Sequence, residues 1–217
     1  MVDEIRLSQI DESNRDDHSR LTADDVCYYL FEYTSRRGYS FSSTNQLISN
    51  LKKKPSTAGQ PGYHYKARAI TTCGQHLGAA LNPAWLADAT LVPIPGSKAV
   101  GHPDYDDRVE RICRAVRQPP PDVRPLVVQT ASTTASHEAG EGDRVTVEEL
   151  LEVYAINEAL AAPAPRKIAI VDDVLTAGTH YRAMHITLSA RFPNVPLIGL
   201  FIARRVFPDD DFGFDAL

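Results

Sequence analysis

The chain has 217 residues, of which 43% are hydrophobic and 24% charged, with a formal net charge of −5. That is enough for one compact domain with a modest extension, and too little for two full-sized enzymatic domains. The negative balance excludes a global basic field that would hold nucleic acid, although it leaves a local patch open.

No run approaches the roughly 18 apolar residues of a membrane helix. The opening MVDEIRLSQIDESNRDD is polar and acidic rather than a signal peptide. The expectation is a cytoplasmic protein with no membrane partner. Cys27, Cys73 and Cys113 are odd in number and form no C-x-x-C pair, so they read as free, buried thiols rather than a zinc or redox site.

In chain order, residues 1–20 read as a flexible polar arm. A helical N-terminal extension is expected over 21–65. Its first helix follows from "LTADDVCYYLFEYTSRRGY", where Thr22 caps, Val26, Tyr29, Leu30 and Tyr33 fall at helical spacing, and Gly38 stops the run. "FSSTNQLISNLKKKP" predicts a second helix, capped by Ser43 or Thr44 and ending before Pro55. Its three terminal lysines read as a solvated helix end.

An α/β domain is expected over 66–217. "KARAITTCGQHLGAALN" predicts a helix, "ATLVPIP" a buried strand, "YDDRVERICRAVRQ" a helix and "RPLVVQT" another buried strand. The polar stretch from Ala131 to Glu149 reads as a mobile loop. "LLEVYAIN" suits a strand, "KIAIV" a buried strand, "THYRAMHITLSARF" a helix and "PLIGLFIA" a last strand. Continuous apolar runs alternating with helices imply a central, mainly parallel sheet flanked by helices on both faces. In such sheets ligands bind beyond the carboxyl ends of the strands. The loops "PGSKAVGH" and "DDVLTAGTH" fall there.

Asp172 and Asp173 follow the apolar run Ile168 to Val171 directly. Two carboxylates at a strand end can accept hydrogen bonds from vicinal hydroxyls or hold a hydrated magnesium ion. Thr176, Ala177, Gly178 and Thr179 then offer backbone N–H groups with little bulk, leading into a helix whose positive end favours an anion. Hydroxyls on the acids and a phosphate on the turn describe a sugar phosphate. The plainer alternative is a pair of solvated acids followed by a turn glycine.

"IAIVDDVLTAGTH" resembles the phosphoribosyl-pyrophosphate signature of the type I phosphoribosyltransferases, and "LVPIPGSKAVGH" is similar to the Val-Pro-x-Pro strand end of their competence-associated (ComF-like) amidophosphoribosyltransferase-like group. The resemblance covers roughly residues 88–205. It implies that Asp172 and Asp173 hold the ribose hydroxyls and magnesium, that Thr176 to Thr179 hold the 5′-phosphate, and that Gly96, Ser97 and Lys98 form a pyrophosphate loop. Donors and a cation in such a loop would stabilise the charge gathering on a pyrophosphate leaving group. The 131–149 segment corresponds in position to a loop that closes over the reaction centre, where His137 and Arg144 would reach phosphate oxygens.

His180 stands where that signature commonly carries Ser or Thr. "GHPDYDDR" replaces the basic Arg-Gly-Phe-Asn-Gln stretch of the competence-associated group, and the cysteine-rich zinc module often found before that group's domain is missing from this sequence. The expected partners are phosphoribosyl pyrophosphate and an unidentified nitrogen acceptor, with magnesium as cofactor and a homo-oligomer or protein partner possible. The leading expectation is a transferase of nucleotide metabolism. The rival is a non-catalytic sensor of the same ligand, regulatory or nucleic-acid-associated, and pyrophosphate transfer to ribose phosphate ranks last.

Overall fold

The computed structural model describes residues 5–132 and 145–208. Its elements in chain order are β1 (Ser8–Gln9), β2 (Cys27–Thr34), α1 (Ser43–Leu51), α2 (His64–Ala80), α3 (Pro83–Asp88), β3 (Ala89–Pro93), α4 (Arg108–Arg114), β4 (Val127–Gln129), α5 (Val147–Val153), β5 (Tyr154–Ile156), β6 (Lys167–Leu175), α6 (Thr179–Arg191) and β7 (Leu197–Val206). Five strands form the central sheet in the order β1-β2-β7-β6-β3. Every pairing is parallel except that of β1 with β2. The fold is therefore α/β, with a mostly parallel sheet flanked by helices. Among the described residues no helix is long and apolar enough to cross a membrane.

The alternation along β6 explains why this strand is central. Ile168 and Ile170 pack with Met184 and Leu188 of α6 and Leu150 of α5, whereas Ala169 and Val171 pack with Ile70 and Leu77 of α2 and Ile112 of α4. All four β6 residues are fully buried, and a large apolar side chain so placed contributes about 1.5–3 kcal/mol. A strand covered on both faces reads as an unbroken apolar run, as "IAIV" does. The three cysteines are free and buried.

Several sequence expectations are corrected. The helix expected from "LTADDVCYYLFEYTSRRGY" is instead strand β2, which runs beside β7 with Cys27 opposite Gly199. Its composition, Cys-Tyr-Tyr-Leu-Phe-Glu-Tyr-Thr, is aromatic and suits a pleated surface. Because parts of both faces are buried, the apolar positions lose strict alternation and mimic helical spacing. The second helix forms as α1, but its cap is Ser42, whose side chain accepts from the Asn45 amide.

The expected flexible arm is packed in its described part, since Ile10 and His18 are almost fully buried. "RPLVVQT" contributes β4 to a separate two-stranded antiparallel sheet with β5, not to the main sheet. "LLEVYAIN" divides between the end of α5 and β5. The start of α5 lies within the expected mobile loop, and a capping box joins Thr146 and Glu149 there. The rest of that loop, with His137 and Arg144, lies outside the described residues.

Candidate functional site

Beyond the carboxyl ends of β3 and β6 lies a cavity of about 120 Å³ lined by Gly96, Ser97, Asp172, Asp173, Thr176, Gly178 and Thr179, together with Lys52, Arg108 and His180. A second cavity of about 180 Å³ shares Lys52, Gly96, Ser97 and Arg108 with it and adds Lys54, Lys98 and His102. The fold thus brings the two expected loops to one place. Of the residues expected there, Lys98 lines the second cavity but not the first, and Ala177 lines neither.

β6 does not end before the acids but runs on to Leu175. Both acids nevertheless line the same cavity, because the period-2 alternation of β6 breaks across them: Val174 packs in the cluster of Val171, and Leu175 in that of Ile170. Asp173, only 3% exposed, is ion-paired. Arg108 Nε donates to its Oδ2 at 2.7 Å, and Lys52 Nζ stands 3.7 Å from its Oδ1. Burial by itself would raise its pKa, but the Arg108 guanidinium and the Lys52 ammonium outweigh burial and hold the carboxyl well below the usual range.

Asp172 is half-buried and lines the cavity beside it. Its Oδ1 accepts from the Asp173 amide at 2.7 Å. Burial and the neighbouring Asp173 charge push its pKa up to about 7. The two acids therefore have separate roles, Asp173 as an anchor for cations and Asp172 as the carboxylate left to a ligand.

The anchor belongs to a longer chain of charges. Arg108 NH1 also donates to Asp106 at 3.0 Å, and Asp106 accepts from Lys66 Nζ at 2.7 Å. Lys66, 2% exposed, uses its other donors on the Leu51 and Lys53 carbonyls at the C-terminal end of α1. Those carbonyls have no partner inside the helix. By satisfying them, Lys66 fixes the turn that presents Lys52 to the cavity. The lysines expected to be a solvated helix end are thus divided: Lys52 reaches the site, and Lys53 is tied to the Gly62 carbonyl at 2.6 Å.

The loop after β3 is held from behind. Gln129 Nε2 donates to the Ser97 carbonyl at 2.9 Å, and the Ala99 amide donates to Ser132 at 3.1 Å. The lack of a side chain at Gly96 also has a physical reason, since a Cβ there would stand 3.1 Å from the Asp106 carbonyl oxygen.

The turn after β6 bends through Gly178 at φ +88°, a left-handed conformation that favours glycine. Among the described residues the N–H groups of Ala177 and Gly178 meet no acceptor. They precede the first turn of α6, where the helix dipole favours an anion. His180, in that turn, has its Nδ1 2.8 Å from the Tyr154 hydroxyl. Burial, with Lys52 adding to it, lowers the His180 pKa to about 4. Burial, with Asp172 adding to it, raises that of Tyr154. A neutral imidazole accepting from a protonated tyrosine carries its remaining proton on Nε2, a donor compatible with a phosphate oxygen.

A scan against protein-family models finds no matching family, and a search of curated proteins finds no match. The chemistry of the site therefore rests on its own residues.

Sequence reasoning missed Lys52, Lys66, Arg108 and Tyr154. "YDDR" carried a partial signal for Arg108, an acid-flanked arginine soon after the first loop. Nothing local marks Lys66, which lies in an ordinary helical stretch. Among the described residues no cluster of three acidic, histidine or cysteine side chains surrounds a metal position. Asp172 does fit the one or two carboxylates by which magnesium is commonly held when substrate phosphates and waters complete its shell.

Proposed function

We propose that the protein binds phosphoribosyl pyrophosphate with magnesium and transfers the phosphoribosyl group to a nitrogen nucleophile. In that reaction the bond from the anomeric carbon to pyrophosphate oxygen breaks, with the electron pair leaving on pyrophosphate. A bond from nitrogen to carbon forms, and the displaced nitrogen proton passes to water or a base. The observation that carries this reading is the joining of three kinds of group around one cavity: the open carboxylate Asp172, the turn of Thr176, Gly178 and Thr179 with its unpaired Gly178 amide, and the cations Lys52 and Arg108 beside Gly96 and Ser97.

Asp172 would accept from a ribose hydroxyl and the turn would hold the 5′-phosphate. Lys52 and Arg108 would face the pyrophosphate end, where developing negative charge is strongest. Bound magnesium supplies further neutralisation of the leaving group.

Calorimetry with phosphoribosyl pyrophosphate and magnesium is the direct test. A folded chain that binds neither this ligand nor ribose 5-phosphate refutes the reading. Pyrophosphate release that depends on an added purine, pyrimidine or amine identifies the acceptor.

A second reading, a non-catalytic sensor linked to nucleic acid, has its own support. Between Glu32 and Asp88 the chain contains no acid but has Arg36, Arg37, Lys52, Lys53, Lys54, Lys66 and Arg68. In the same stretch the exposed rings of Phe41 and Tyr65 stand beside Arg37, Lys53 and Arg68, a combination suited to stacked, single-stranded bases. Tight ligand binding with no pyrophosphate release from any acceptor, together with salt-sensitive binding of a single-stranded oligonucleotide, favours this second reading over the first.

A further inference from the structure

The described part of the N-terminal segment lies directly behind the turn after β6. His18 Nδ1 meets the Thr176 carbonyl, and the Arg20 amide donates to the Ala177 carbonyl at 2.8 Å. Leu21 Cδ2 occupies the space next to Gly178, 3.2 Å from where a Cβ would stand. The segment is secured in turn. Arg182 Nε donates to the Arg20 carbonyl at 3.1 Å, Arg182 also pairs with Asp25, and Arg205 donates to the Asp17 carbonyl at 3.1 Å.

These contacts determine which way two peptide groups face. A trans peptide is planar, and its C=O and N–H point in opposite directions. With the Thr176 carbonyl drawn toward His18, the Ala177 N–H points away from the N-terminal segment. With the Ala177 carbonyl drawn toward Arg20, the Gly178 N–H does the same. Both amides are among those without an acceptor in the described residues. Their direction is thus set by donors more than 150 residues distant in sequence.

His18 is suited to this task. It is fully buried, and burial lowers its pKa despite the carbonyl it contacts. A neutral ring beside a carbonyl oxygen must present its proton there, so the tautomer is Nδ1–H. Its Nε2 has no partner among the described residues, which leaves the single contact to Thr176 as the ring's polar function.

We propose that His18 is a positioning residue for phosphate binding: by holding the Thr176 carbonyl it aims the amides of the Thr176–Thr179 turn at the 5′-phosphate of the ligand. This inference rests on the phosphoribosyl reading of the site. It assigns to the N-terminal segment a part in ligand affinity rather than only in packing. The pre-aimed amides need no reorganisation when the anion arrives, and preorganisation of this kind appears as affinity.

The test compares ribose 5-phosphate binding by calorimetry in the wild type, His18→Ala, His18→Asn and Arg182→Met, with thermal melts of each. His18→Ala is expected to weaken binding about tenfold or more, since one peptide of the anion nest is released. His18→Asn can place its amide N–H near the Thr176 carbonyl and is expected to recover most of the affinity. Arg182→Met loosens the segment without touching the buried ring, and is expected to weaken binding by about twofold to fivefold. In amide NMR spectra of His18→Ala without ligand, the Ala177 and Gly178 resonances should shift.

The inference is overturned if His18→Ala and Arg182→Met both bind ribose 5-phosphate as the wild type does. It is also overturned if His18→Asn is as weak as His18→Ala, which would mark the ring as a space filler. A wild-type chain that binds neither phosphoribosyl pyrophosphate nor ribose 5-phosphate refutes the functional reading and this inference together. Wild-type binding that the substitutions leave unchanged refutes the inference alone.

Discussion

Replacing Arg108 by Met should destabilise the protein severely, and the loss should depend on Asp173. In the wild type Arg108 Nε lies 2.7 Å from Asp173 Oδ2, and its NH1 lies 3.0 Å from Asp106 Oδ2. Asp173 is 3% exposed, so removing the guanidinium leaves a buried carboxylate with only the more distant ammonium of Lys52. Removing one member of a buried pair typically costs about 3–5 kcal/mol. Because Lys52 remains and Asp106 keeps Lys66, the lower end, about 3 kcal/mol, is expected. For a chain of this size that corresponds to a fall in Tm of about 6–12 °C.

The assay is thermal and urea denaturation followed by circular dichroism, run for Arg108→Met, Asp173→Asn and the double variant. Removing both charges leaves no unpaired buried carboxylate, and Lys52 is partly exposed to solvent, so the double variant should recover about 2 kcal/mol relative to Arg108→Met. An Arg108→Met protein within about 0.5 kcal/mol of the wild type, or a double variant no better than the single one, would refute the role assigned to Asp173 as an anchor.

Two further predictions follow from the same geometry. Asp172→Asn should abolish measurable binding of magnesium phosphoribosyl pyrophosphate while raising stability at pH 8. Asp172 has a folded pKa raised to about 7 from a usual 3.8, so its stabilising contribution is complete below the lower value and is lost as pH rises through the higher one. The Tm gain of the variant over the wild type should thus shrink toward pH 4, and a gain independent of pH would contradict the assigned shift. Gly178→Ala should cost about 1–2 kcal/mol, because its φ of +88° suits glycine and Leu21 crowds the added methyl. The same variant should weaken ribose 5-phosphate, which calorimetry beside a thermal melt can read.

The local sequence was sufficient wherever an element carries its own signal. The run Ile168 to Val171, the acids that follow and the small turn with Gly178 were enough to place a buried strand, two acids toward its carboxyl end and a glycine turn leading into a helix. The same holds for β3 with its Pro95–Gly96 exit. These features depend on neighbours within a few residues, and side-chain chemistry and backbone preference act at that range.

Tertiary structure decided what each group faces. Asp172 and Asp173 are adjacent and identical in the sequence, yet the fold pairs Asp173 with Arg108 and Lys52 and leaves Asp172 to accept from the Asp173 amide. Lys52 reaches the site from the end of α1, where Lys66, from another helix, satisfies the Leu51 and Lys53 carbonyls. The stretch around Tyr29 became a strand because β7 offers it an edge, and no spacing along the chain could report that edge. Hydrogen bonding and charge pairing act over a few ångströms in space without regard to distance along the chain, so the acids and the small turn could be read from the sequence while their cationic partners and their division of labour could not.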